Sequence, residues 1–234
     1  YFSSSLTRPN FVGSRLLLRK YPGSNMQAKQ IPRKSELLNY SPFPYILHLM
    51  IILDIETSGL DPVLSSLVSI GAMDFNDNSQ VFYEECQVWP NAVIDAKSLE
   101  IVGMTEDQLR DPSKKSPAEV LQNFINWMEK RNDKTVAGQN VHWDLTFLRE
   151  ELKKSGIKYH FGVRIIDLHT MCYTKMMEKK VSIPVRNNRT DLNLDVIMNF
   201  VGIVKKRAAH NALEDVRLEA ESFSRLMFGK SLLP

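Results

Sequence analysis

The sequence predicts an α/β fold in a single domain: a mixed five-stranded sheet flanked by helices. Three observations carry this expectation. Leu49 to Leu53 is an unbroken apolar run, the pattern of a strand buried on both faces. Asn76-Asp77-Asn78-Ser79, a polar turn cluster, separates two strand-like segments, as in an antiparallel hairpin. Further on, short apolar segments alternate with segments of helical period, and no internal repeat is present.

The elements follow in order. The first strand spans Met50–Ile55, and the hairpin pairs Leu67–Phe75 with Gln80–Val88. A short helix over Glu106–Arg110 starts from Thr105 as its cap. A stronger one opens at Ser116-Pro117-Ala118-Glu119, with Ser as N-cap, Pro in the first helical position and Glu in the third. Its Val120, Leu121, Phe124, Ile125, Trp127 and Met128 fall on one face. Thr135–Gly138 reads as a strand, and Asp144–Lys154 as a helix with Leu145, Leu148 and Leu152 inward. Val163–Ile166 is a short strand leading into a helix over Asp167–Met177. Lys175–Arg189, with five basic residues against Glu178, reads as a loop able to track phosphates, or as a plain solvated one. Leu192–Val201 and Asn211–Phe228 are helices; in the last, Leu213, Val216, Ala220, Phe223 and Met227 recur at helical spacing.

A chain of 234 residues, 43% hydrophobic and 24% charged, belongs to the ordinary soluble globular class. Its two cysteines, Cys86 and Cys172, are too few for a disulfide scaffold or a zinc cluster, so a reducing, cytoplasmic setting is expected. The longest apolar run, Tyr45 to Leu53, is about half of a membrane span, and no membrane association is expected. The net charge of +3 conceals a split. Residues 1–49 hold seven Lys/Arg and one acid, Glu36, a net of +6, which leaves 23 basic and 26 acidic residues in the remainder, a net of −3. Overall charge is therefore no argument for nucleic-acid binding. Residues 1–49 show no sustained period and are expected to be a disordered or non-native extension, with translation starting at Met50 and a globular domain over 50–230. An Arg- and Ser-rich transit peptide is the alternative for that extension.

Asp54 and Glu56 interrupt the apolar strand at alternate positions, so both project from one face. Burying carboxylates costs several kcal/mol unless a partner answers the charge, so an arginine, water at the strand end or a metal ion is required. Two later segments add acids. Asn140 and Asp144 lie in Gly138-Gln139-Asn140-Val141-His142-Trp143-Asp144, which follows a strand and opens a helix. His210 and Asp215 lie in His210-Asn211-Ala212-Leu213-Glu214-Asp215, just after the basic Lys205-Lys206-Arg207. Taken singly, these are a helix-start Asp, a loop His and a surface acid.

In combination, D-x-E-T, N-x-x-x-D and H-x-A-x-x-D, in that order, resemble the DEDDh class of 3′–5′ exonucleases, the family of RNase T and the epsilon proofreading subunit of DNA polymerase III. The resemblance covers residues 50–228. It extends to Ile94–Leu109, where Val102-Gly103-Met104-Thr105 is similar to the family's segment ending in HG(I/M)T, with Val102 where His is common. The resemblance implies a ribonuclease H-like sheet with one antiparallel strand. It also implies two divalent cations, Mg²⁺ or Mn²⁺, with Asp54, Glu56 and Asp215 on one ion and Asp54 and Asp144 on the other. His210 would be the general base, with His142 as a weaker competitor and His48, His160 and His169 structural. Thr57, Leu60 and Asn140 would contact the substrate: the Thr57 backbone at the 3′-hydroxyl, Leu60 against the terminal base, Asn140 ordering the strand. The implied partner is a single-stranded nucleic-acid 3′ end, and a DNA polymerase subunit would be a separate chain; DNA or RNA preference and oligomeric state stay open. The alternative is a non-catalytic nucleic-acid-binding or polymerase-accessory module on the same fold.

Overall fold

The computed structural model of the chain describes residues 50–205 and 210–232. The expectations for residues 1–49, and for Lys206 and Arg207, lie outside the described residues. Leu47–Pro234 form one compact unit.

The first strand, β1 (Ile51–Thr57), is the middle of a five-stranded sheet. β2 (Leu67–Asp74) and β3 (Val81–Glu85) form the expected hairpin, and β4 (Val136–Gly138) and β5 (Ile165–Asp167) complete the order β3-β2-β1-β4-β5. β2 runs antiparallel to β1 and β3, whereas β1, β4 and β5 are mutually parallel, so one strand is reversed. The hairpin is shorter than its apolar pattern, because after Glu85 the chain leaves β2. Cys86 bridges to Lys115, and the Gln87 N–H donates to the Lys115 carbonyl at 2.9 Å.

Seven helices among the described residues cover the sheet: α1 (Ala96–Val102), α2 (Glu106–Leu109), α3 (Pro117–Glu129), α4 (His142–Ser155), α5 (Leu168–Glu178), α6 (Leu194–Phe200) and α7 (Ala212–Phe228). The α3 capping box forms as its sequence requires. The Ser116 hydroxyl accepts from the Glu119 N–H at 3.2 Å, and the Glu119 carboxylate accepts from the Ser116 N–H at 2.8 Å. α1 has no counterpart among the predicted elements. It buries no residue fully, so no apolar stripe announces it, and it is held by the Asp95 cap and a left-handed Gly103 with φ 71°. The stretch read as a loop contains a small hairpin, β6 (Val185–Arg186) and β7 (Arg189–Thr190). Its two turn residues, Asn187 and Asn188, both have positive φ (51° and 59°), the conformation a tight two-residue turn demands.

The alternation along β1 sets the two layers. Ile51, Leu53 and Ile55 face a core built with α3 and α4, including Leu121, Phe124 and Leu148. Met50 and Ile52 face the opposite core under α5, α6 and α7, including Leu168, Ile197 and Phe223. Asp54 and Glu56 continue this second face. In α7 the buried stripe is Ala212, Val216, Ala220, Phe223 and Leu226, whereas Met227, expected inward, is exposed. The sheet lies one position round from the predicted stripe at that end of the helix.

Candidate active site

Asp54 and Glu56 sit at the C-terminal end of the central strand, the edge where parallel sheets present their ligands. Asp54 is in register with Gly71 on β2. That glycine is what lets α7 come so close. A Cβ at position 71 would collide with the Ala212 carbonyl group and lie 2.7 Å from the Leu213 nitrogen. The start of α7 therefore rests on the sheet beside Asp54 and delivers Asp215, which is 3% exposed. Asn211 caps the helix, its side-chain oxygen accepting from the Leu213 and Glu214 N–H groups at 3.2 Å.

Asp144, in the first turn of α4, arrives from the other side. Its Oδ1 accepts from the Ile55 N–H at 3.1 Å, a bond between residues 89 positions apart that ties α4 to β1 between the two strand acids. His210 Nδ1 lies 3.4 Å from Asp215 Oδ2, and its backbone N–H donates to the Ile101 carbonyl at 2.9 Å. Ligand atoms of Glu56, His210 and Asp215 all fall within 4.8 Å of one another. A cleft of about 360 Å³ opens over these groups, lined by Asp54, Glu56, Asp144 and His210, with Thr57, Leu60 and Asn140 on its walls. The three sequence segments thus meet in one place.

The electrostatics are those of concentrated negative charge. Burial first, then repulsion from Glu219, Asp144, Glu56 and Asp215, hold the Asp54 carboxyl well above the usual carboxylate range. Burial pushes Asp144 up to about 7, against the pull of two backbone N–H groups. Such a set releases its protons readily to a cation and poorly to bulk water. All the carboxylate donors are hard oxygens, the ligand chemistry of Mg²⁺ and Mn²⁺.

Leu60 is 79% exposed at the cleft mouth. The Thr57 hydroxyl donates to the Gly59 carbonyl at 2.8 Å, shaping the turn after the strand. Asn140 takes a left-handed φ of 54°. His169, read as structural, spans from this loop to the β6–β7 hairpin: its Nδ1 is 3.2 Å from Asn140 Oδ1, and its Nε2 is 2.9 Å from Thr190 Oγ1. His142 is exposed on α4 and is not among the residues lining the cleft. Sequence reasoning missed Trp143, Gln139, Ile101 and Ser98 on the cleft walls, and Glu219 beneath it. Only Glu219 had a local signal, being four residues after Asp215 and so on the same helical face.

The mixed sheet and the carboxylate cleft at its edge define an enzyme of the ribonuclease H-like class. Residues 51–223 match the RNase T exonuclease family; the chain belongs to that family and, with it, to the DEDDh 3′–5′ exonuclease superfamily. It is 30% identical over 178 residues to the PolC-type DNA polymerase III of Thermotoga maritima, a match covering 76% of this chain and 12% of that protein. It is 26% identical over 185 residues to the DNA polymerase III epsilon subunit of Buchnera aphidicola, covering 74% and 69%. The chain thus spans about an eighth of the PolC-type relatives it matches. Among solved structures, the nuclease domain of 3′hExo, a DEDDh member bound to rAMP, shares the fold with a TM-score of 0.60 at 17% identity, over 79% of this chain and 94% of that one. Among the described residues, no helix is long and apolar enough to cross a membrane.

Proposed function

We propose that the protein is a metal-dependent 3′–5′ exonuclease that hydrolyses phosphodiester bonds at the 3′ ends of single-stranded DNA or RNA and releases nucleoside 5′-monophosphates. The observation that carries this is the convergence of Asp54, Glu56, Asp144, Asp215 and His210 on one cleft from three distant segments. Asp54, Glu56 and Asp215 would hold one Mg²⁺ or Mn²⁺, and Asp54 and Asp144 a second. When bound, the two ions supply Lewis-acid activation of a water and neutralise the scissile phosphate and its leaving 3′-oxygen.

The chain's own groups do the rest. His210 turns Nδ1 toward Asp215, which leaves Nε2 to take the proton of the attacking water. Asp215 fixes the ring's orientation as a carboxylate behind an imidazole does in other hydrolytic sites. The Thr57 backbone meets the terminal 3′-hydroxyl, and Leu60 wedges against the terminal base, for which its exposure at the mouth suits it. Asn140 orders the strand entering the cleft. A polymerase partner, suggested by the PolC-type and epsilon relatives, would be a separate chain or a longer context for this domain.

The test is incubation of the protein with 5′-labelled single-stranded DNA, single-stranded RNA and a diribonucleotide, in Mg²⁺, Mn²⁺ and EDTA. A ladder shortening from the 3′ end, absent in EDTA, is the expected result, and the fastest substrate identifies the physiological class. Tight oligonucleotide binding with no shortening in either metal would instead identify the non-catalytic binding module. The closeness of Glu56, His210 and Asp215 also suits a single ion with an imidazole ligand. In that second reading His210→Ala lowers Mn²⁺ affinity; with His210 as base it lowers kcat and leaves affinity intact.

A further inference from the structure

We infer that Glu219 is a fifth acid of the cation centre, a positioning residue behind Asp54 that strengthens cation binding without itself touching the ions. The inference rests on the reading of the cleft as a divalent-cation site. Glu219 lies on α7, four residues beyond Asp215, and so one turn deeper on the same face. It is 1% exposed, among Val216, Ala220 and Phe223, which are fully buried. A carboxylate at that depth opposes folding of the metal-free protein unless a positive charge answers it. Of the four carboxylates that act on Asp54, Glu219 acts most strongly.

Its orientation is fixed from the opposite side of the site. Glu219 Oε1 accepts from the Gln139 N–H at 3.2 Å, and Gln139 Nε2 donates to the Leu192 carbonyl at 2.6 Å. Gln139 both lines the cleft and begins the loop that leads to Asp144. Glu219 therefore joins the helix that carries Asp215 to the loop that carries Asp144, with Asp54 between them. Four carboxylate ligands balance two divalent cations; Glu219 leaves the loaded centre net negative, which favours retention of the ions. Groups in such outer positions commonly change metal affinity by about 10- to 100-fold when replaced.

Two variants of the full chain separate charge from scaffolding. Glu219→Gln keeps an oxygen for the Gln139 N–H and removes the charge, whereas Glu219→Ala removes both. Calorimetric titration with Mn²⁺ should show affinity falling at least about tenfold in E219Q, with a higher melting temperature in EDTA than the wild type. An E219Q protein that binds Mn²⁺ like the wild type, with only E219A impaired, would overturn the inference and leave Glu219 a hydrogen-bond strut. Should the wild type bind Mn²⁺ and E219Q bind it weakly while neither shortens an oligonucleotide, the inference stands and the exonuclease reading fails. No Mn²⁺ binding by the wild type overturns both.

Discussion

Asp144 offers the most direct test of the cluster's electrostatics. Its carboxyl is raised by burial from an ordinary value of 3.8 to about 7. In metal-free protein the folded state then keeps a proton that the unfolded chain has released, over a window from about pH 4 to 7. Stability must therefore fall as pH rises through that window. A gap of about three pKa units amounts to about 4 kcal/mol once pH exceeds 7, of which about 3 kcal/mol is lost between pH 5 and pH 8. Asp144→Asn retains an oxygen for the Ile55 N–H and removes the ionisation. The variant should gain on the wild type by about 3 kcal/mol more at pH 8 than at pH 5. That corresponds to about 6–12 °C in melting temperature for a domain of this size. Denaturant unfolding of both proteins in EDTA at the two pH values measures it. A difference between them that does not change with pH would refute the reasoning. Saturating Mn²⁺ should reverse the order at pH 8, because cation binding restores the wild type and fails in the variant.

Three further outcomes follow from the same geometry. Asp54→Ala should abolish nuclease turnover while leaving the fold intact, and should raise metal-free stability by relieving repulsion; unchanged turnover would sink its assignment as a ligand. His210→Ala should lower kcat by about 10²–10⁴, and a loss under tenfold in single-turnover assays would point to another base. Gly71→Ala should cost about 1–3 kcal/mol or more, because its methyl group collides with the Ala212 carbonyl. The same shift moves Asp215 away from Asp54, so Mn²⁺ affinity should drop with stability; a loss of stability alone would mean that α7 yields without disturbing the site.

The cleft shows why the metal-free protein is not the most stable protein this fold could make. Glu56, Asp144, Asp215 and Glu219 are all buried at or below 7% exposure around Asp54. The sheet, with Phe124, Phe147 and Phe223 fully enclosed on its two faces, supplies the stability that this concentration of like charge removes. Cation binding then returns part of it, which makes melting temperature a direct report of site occupancy.

The sequence by itself determined the strands, most helices and the acids. Apolar period, the Ser116 capping box and the polar turn at 76–79 are properties of neighbouring residues, and local patterns survive without knowledge of the fold. D-x-E-T, N-x-x-x-D and H-x-A-x-x-D were legible for the same reason, each being a short motif on one element. What only the tertiary structure decided depends on contacts between distant positions. The docking of α7 on Gly71, the Asp144 bond to Ile55, the His169 link from Asn140 to Thr190 and the place of Glu219 beneath Asp54 all join separate segments. α1 and the β6–β7 hairpin escaped because neither buries a fully enclosed side chain, so neither leaves a hydrophobic period to read. Period records which face meets the core; it carries no record of which charge on that face meets another.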